Sequence, residues 1–115
     1  MTNPQPALTP AMFNVLLALA GGDMHGYAIL KEVEEQSGGE VQLSTGTLYG
    51  IIKRLLTEGL IVELRRRPSD NDDARRRYYH LTDSGRELAV AEAERMAKLV
   101  ARARATQLIK ALKPV

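Results

Sequence analysis

The chain has no cysteine, which removes disulfides, thiolate metal sites and cysteine nucleophiles from its chemistry and agrees with a reducing compartment. It has no tryptophan and an aromatic content of only 4%, which argues against a binder that stacks successive single-stranded bases on aromatic platforms. His25 and His80 are its only imidazoles, and neither stands in a co-ligand pattern, so no metal and no cofactor is expected. No apolar run approaches the roughly 20 residues that span a bilayer, and Met1-Thr2-Asn3-Pro4-Gln5-Pro6 lacks the cationic start of a signal peptide. These absences predict a cytoplasmic protein with no membrane partner. A glycine-rich phosphate loop, a metal-ligand cluster and a nucleophile with histidine and acid at recognisable spacing are all missing, so an enzyme is not expected. Internal repeats and low-complexity segments are missing as well.

What is present fits one domain of 115 residues, 44% of them apolar. The net charge is only +2, but its distribution is uneven: the segment from Arg65 to Arg77 holds six arginines against three aspartates, a local excess larger than that of the whole chain.

The most telling stretch runs from Ser44 to Ile61. Leu48, Ile51, Ile52, Leu55 and Leu56 recur at helical spacing and lay one apolar stripe. Ser44 can cap the first turn and Gly59 can end the helix, which predicts a helix over about 45–58. Its outer side carries Gly46, Gly50, Lys53 and Thr57, with Tyr49 and Arg54 on the flanks. Glycine in an exposed helix costs on the order of 1 kcal/mol relative to alanine, and close approach of a partner is a reason to keep two of them there. The hydroxyls of Ser44, Thr45 and Thr47 gather at the helix start, where unpaired N–H groups favour phosphate. A solvated amphipathic face is the other reading of this helix alone.

Before it, Thr9-Pro10 starts a short, largely buried helix that stops at Gly21-Gly22, and a second helix spans about 25–36, ending at Ser37-Gly38-Gly39. Val41-Gln42-Leu43 suggests a brief extended piece. After Gly59, Leu60, Val62 and Leu64 alternate with Ile61, Glu63 and Arg65, and residues 78–81 form a second β-favouring run. The residues between are rich in turn formers and flanked by arginine, giving a hairpin with a long charged loop. Tyr78 and Tyr79 should split across the strand, the inward ring being core. Thr82 can cap a last helix reaching about Lys113, roughly 45 Å long. Leu88, Ala89, Ala93, Met96, Leu99, Val100 and Ala103 share one side of it, while Leu108, Ile109 and Leu112 fall nearly opposite. A helix that long needs a further partner, most simply a second copy of the chain. The fold class is therefore mainly helical α+β, a winged helix-turn-helix. It divides into a flexible arm over 1–8, a DNA-binding unit over 9–81 with its wing at about 60–81, and a dimerisation helix over 82–115.

Several words in this order match a known family. They are Leu16-Leu17-Ala18-Leu19; His25-Gly26-Tyr27-Ala28-Ile29; Thr47-Leu48-Tyr49 with Lys53-Arg54-Leu55; Gly59-Leu60-Ile61; and the run from Arg77 to Arg86. The chain resembles the PadR-family transcriptional regulators, particularly the small members with one C-terminal helix, over roughly residues 7–99. The resemblance implies a dimeric repressor of double-stranded DNA on an inverted repeat. Its recognition helix would contact DNA through Ser44, Thr45, Thr47, Tyr49 and Lys53, and its wing through Arg75, Arg76 and Arg77. It also implies dimerisation through the last helix, with Leu88, Leu99, Ala103, Leu108, Ile109 and Leu112 as candidates. A small-molecule effector at the dimer region is a further implication, for which Met12, Phe13, Met96 and Val100 are the candidate lining, ordinary dimer core being the other reading.

Tyr49 can donate to phosphate or fold over the hydrophobic edge, and Lys53 can meet phosphate or solvent. His25 can pack or cap the second helix, and His80 is a strand residue first. The wing departs from the family's shorter, glycine-rich form. Asp70, Asp72 and Asp73 would repel phosphate unless paired, as by Asp73 with Arg75 or Asp72 with Arg76. The multiple-antibiotic-resistance regulators are the runner-up family, although they usually carry more helix ahead of the DNA-binding unit. A winged helix serving protein or RNA contacts is the alternative outside both.

Overall fold

In the computed structural model, residues 8–64 and 76–110 are described. Helix α1 covers Pro10–Ala20, with Thr9 capping it through a bond accepted from the Met12 N–H at 3.1 Å and proline in the first turn. Proline fits there because its missing N–H would have had no helical partner. A two-residue strand β1 (Met24–His25) leads into α2 (Gly26–Gln36). The chain turns at Gly38 and Gly39, both at positive φ, and enters α3 (Thr45–Thr57). Ser44 caps α3 by accepting from the Thr47 N–H, and Gly59, at φ +73°, releases the chain into the sheet. Strands β2 (Ile61–Glu63) and β3 (Tyr78–Leu81) follow, then α4 (Asp83–Ala105), capped by Thr82.

The sheet order is β1-β3-β2, all antiparallel, with His25 opposite Tyr78 and Ile61 opposite Leu81. Strand β1 was not anticipated. Two residues carry no periodicity, and pairing with β3 alone makes them a strand. Val41-Gln42-Leu43 forms no strand; Val41 and Leu43 instead pack against the core.

The core is one cluster in which Val15, Leu16, Ile29, Val33 and Leu55 are fully enclosed. From α3 the apolar stripe supplies Leu48, Ile52 and Leu55, while Ile51 is half-buried and Leu56 reaches the surface. Met12 is 2% exposed and belongs to this core. It is thus committed to the chain's own interior, and the reading of it as lining a ligand or dimer cavity does not match its position. Leu8, assigned from sequence to a flexible arm, packs against the same cluster; residues 1–7 lie outside the described residues. Tyr78 and Tyr79 split across the strand as expected, and both are buried. Tyr79 joins the core, and Tyr78 on the other face is covered by the His25 ring, edge to face at 5.3 Å.

Helix α4 is shorter than expected. Its 23 residues span about 34 Å. The Thr106 hydroxyl donates back to the Arg102 carbonyl, Gln107 adopts φ 62°, and the Leu108 N–H returns to the Ala103 carbonyl. This is a left-handed helix ending made without glycine. Leu108 and Ile109 therefore lie past the helix end, so no change of face along a single helix takes place; Leu112 lies outside the described residues. The start of α4 packs on the core through Leu88 and Ala89, and α1 lies against it. Val90, Leu99 and Val100 are exposed.

The joint between β3 and α4 is tight. The Thr82 hydroxyl donates to the Gly59 carbonyl at 2.8 Å and accepts from the Gly85 N–H at 3.0 Å, while the Thr82 N–H donates to the Leu60 carbonyl. Gly85 is buried, and only glycine fits there because a Cβ would collide with the Leu60 carbonyl oxygen and stand 2.8 Å from Leu81 Cδ1.

Candidate nucleic-acid interface

The outer side of α3 is open along its length. Thr45, Gly46, Tyr49, Gly50, Lys53 and Thr57 are all exposed. Neither Gly46 nor Gly50 sits at positive φ, and a Cβ on either would meet nothing within 4 Å. Neither backbone conformation nor internal packing therefore calls for glycine at these positions. At the helix start the Ser44 hydroxyl accepts from the Thr47 N–H at 3.1 Å and donates to the Thr47 hydroxyl at 2.9 Å. Ser44 and Thr47 are thus engaged with each other in capping, leaving Thr45 as the outward hydroxyl of the three. Lys53 makes no ion pair among the described residues, whereas Arg54 pairs with Glu58 at 3.3 Å.

Tyr49 projects from α3 toward the start of α2. Its hydroxyl fills the space that a Cβ on Gly26 would take, and the ring stays half-exposed. Together with His25, Gly26, Tyr27, Arg76, Arg77 and Tyr79 it lines a cleft of about 330 Å³. Three of the residues expected to contact DNA, Tyr49, Arg76 and Arg77, thus meet in one place. Ser44, Thr45, Thr47 and Lys53 lie elsewhere on α3, and Arg75 lies outside the described residues, as do the proposed pairings of Asp72 and Asp73. Arg77 is 75% exposed and reaches Glu63 at 3.4 Å, an exposed pair of the kind that contributes little to stability.

Sequence reasoning missed four members of the cleft, His25, Gly26, Tyr27 and Tyr79. Gly26 was read as part of the apolar side of α2, but its use is to admit the Tyr49 hydroxyl; glycine at a helix start was the available signal. His25 does cap α2, as one of its readings held: Nδ1 accepts the Ala28 N–H at 3.1 Å. Its other nitrogen, Nε2, lies 3.3 Å from Arg76 Nη1, a contact across 51 positions of sequence that no local pattern announces. Tyr27 stands beside the ring, 6.5 Å away and nearly parallel, with Lys31 Nζ over its own face at 5.4 Å. Behind the cleft, burial first and then the Glu63 carboxylate push the Tyr79 hydroxyl above the usual tyrosine pKa. Among the described residues there is no cluster of histidine, cysteine and acidic groups able to hold a metal ion, and no helix long and apolar enough to cross a membrane.

An exposed helix face with two unexplained glycines, beside an arginine-lined cleft, fits a regulator's winged helix. Residues 15–91 match the profile of the transcriptional regulator PadR-like family. The chain belongs to that family. PadR-like proteins are transcriptional regulators and not enzymes, and the match decides between the two families weighed from the sequence. A PadR family transcription regulator from Clostridium difficile R20291 superimposes with a TM-score of 0.67 at 26% identity, over 85% of this chain and 97% of that one. Bacillus subtilis PadR, solved in complex with operator DNA, shares the fold with a TM-score of 0.62 at 22% identity, over 93% of this chain and 50% of that one. In sequence, an uncharacterized 37.1 kDa protein in transposon TN4556 of Streptomyces fradiae is 42% identical over 92 residues. Those residues are 80% of this chain but 24% of that relative, so the chain spans about a quarter of its length.

Proposed function

We propose that this chain is a cytoplasmic, sequence-specific binder of double-stranded DNA that acts as a dimeric repressor on an inverted repeat. The observation that carries the reading is the outer face of α3, where Gly46 and Gly50 leave open space that nothing inside the molecule uses. A helix with so little projecting from its centre can sit deep in a major groove about 12 Å wide. Thr45, Tyr49 and Lys53 then supply the contacts along it, and Arg76 and Arg77 approach the flanking backbone. Bacillus subtilis PadR, built on the same fold, was solved with operator DNA, which supports DNA as the partner.

The dimer reading rests on apolar groups left uncovered within one chain. Leu99 is 58% and Val100 41% exposed on α4, and Leu17 of α1 is 46% exposed. A second copy is the simplest cover for such groups at the α4 face, with Ala103 and the exposed Leu108 and Ile109 just beyond it. The half-sites would then be centred about 10 bp apart, or a multiple of this. Phe13 and Met96, both partly buried, together with Val100, are the residues left for an effector at this seam, Met12 being enclosed in the core.

Footprinting on the DNA upstream of the chain's own gene tests the reading, with Tyr49→Ala and Lys53→Ala beside the parent. A protected palindrome, weakened in both variants, is expected. Absence of protection at moderate salt, or equal binding to duplex RNA, would overturn it, because a major-groove reader needs B-form geometry.

A further inference from the structure

Gly46, Gly50, Lys53 and Thr57 follow one another along α3 at alternating four- and three-residue spacing, which sets them on a single line of the helix surface. All four are exposed, and both glycines leave open space where a Cβ would stand. The Thr57 hydroxyl is engaged within the helix, donating to the Lys53 carbonyl at 2.9 Å. On the flanks of the line, Tyr49 leans away to Gly26 of α2, and Arg54 pairs with Glu58 along the helix. Lys53 meets no carboxylate at ion-pair distance among the described residues. Of the four residues on the line it alone carries a charge, an ammonium with three donors on a flexible four-carbon stem.

A cation on such a line and a cation beside it meet different parts of a duplex. When a helix lies in the major groove, its flanks face the phosphates of the groove walls, and the line between them faces the base edges of the floor. Gly46 and Gly50 let the backbone come close on the same line that bears Lys53, so the ammonium is delivered to the floor. Guanine presents two adjacent acceptors there, O6 and N7, whereas adenine sets a donor beside its N7, thymine a methyl beside its O4, and cytosine a donor. We infer that Lys53 reads the O6/N7 edge of a guanine in each half-site and so determines specificity, instead of holding a phosphate. This role rests on the DNA reading above and adds to it the base that the helix selects.

Selection of binding sites from a random duplex library, with the full chain as parent, Lys53→Met and Lys53→Arg, tests this role. Methionine keeps an unbranched stem and a good helix former while removing the donor, and the exposure of Lys53 should leave the fold intact. The parent is expected to enrich sites with a required guanine in each half. Lys53→Met should relax that position and no other, and Lys53→Arg should restore it, because a guanidinium fork matches the same two acceptors. Replacing that guanine with 7-deazaguanine, which lacks the N7 acceptor, should weaken the parent several-fold and leave Lys53→Met unaffected. Lys53→Met overturns the inference if it keeps the parent's base preferences while losing affinity equally for every duplex, with the slope of log affinity against log salt reduced by about 1. That pattern belongs to a phosphate contact. Unchanged preference and affinity in Lys53→Met overturn it too. A parent that enriches no duplex ends the DNA reading itself and this role with it, a result distinct from the loss of one base preference.

Discussion

The Tyr49 hydroxyl occupies the place where a side chain on Gly26 would begin. Helix α3 and the start of α2 are thereby in direct contact at a residue with no side chain to obstruct them. Replacing Gly26 with alanine should leave the fold intact, because the obstructing atoms are the far end of a half-exposed ring that can swing outward. A stability change within about 1 kcal/mol is expected from urea denaturation. Affinity for operator DNA should fall several-fold, since the displaced ring no longer walls the cleft. If affinity is unchanged while Tyr49→Ala weakens binding, the position of the ring against Gly26 is not what matters.

Gly50→Ala should separate stability from function in the opposite sense. Alanine gains about 1 kcal/mol over glycine in a helix interior, and its Cβ meets nothing here. The variant is expected to melt at higher temperature than the parent and to bind its operator less well. Gly46→Ala should follow with a smaller gain, because the residue lies in the first turn. A stabilised variant with parental affinity would show that the groove approach does not need the open space.

Leu99→Glu probes the exposed side of α4. Because Leu99 is 58% exposed in the single chain, the substitution should not unfold it. Sedimentation is expected to show a shift from dimer to monomer, and operator binding should drop at least tenfold as the second recognition helix is lost. A variant that remains dimeric moves the interface elsewhere.

Stability should decline in strong alkali through Tyr79. Its folded pKa lies above the unfolded value of about 10, chiefly because burial disfavours the phenolate and the Glu63 carboxylate repels it. Below that value both states are neutral and the contribution is constant. Above it the unfolded chain ionises first, so stability falls as pH rises toward the folded pKa. Denaturation of the parent between pH 9 and about 11 should show this decline, and Tyr79→Phe should reduce it. A parallel decline in both proteins assigns the effect to other groups.

Much of this architecture could be read from local chemistry. Thr9, Ser44 and Thr82 each announce a helix start, and each caps one. The apolar stripe on α3 places its buried face because period and burial are directly linked, whereas the alternation after Gly59 does not, since Ile61 is buried beside Leu60 and Val62 is exposed. What escaped was set by partners distant in sequence. Strand β1 exists through Tyr78 and Tyr79, and the outward face of Tyr78 is covered by His25. The end of α4 escaped for another reason: Gln107 adopts a left-handed turn that sequence rules reserve for glycine or asparagine. At the candidate interface, the open outer face of α3 was legible because glycine without an internal use stands out. The pairing of His25 with Arg76 was not, since each residue has an ordinary local role.

Thr82 closes three bonds around the ends of α3, β3 and α4, and Gly85 lets the last helix press against the Leu60 carbonyl without a gap. Such a joint has no swivel. If α4 grips a second copy, a rotation of a few degrees at the grip is carried undiminished to α3 and multiplied by the roughly 34 Å of the helix between. The distance between the two α3 helices then works as a caliper whose opening is set at the far end of its arms, so that a small repacking there could take the pair out of step with the DNA helical repeat.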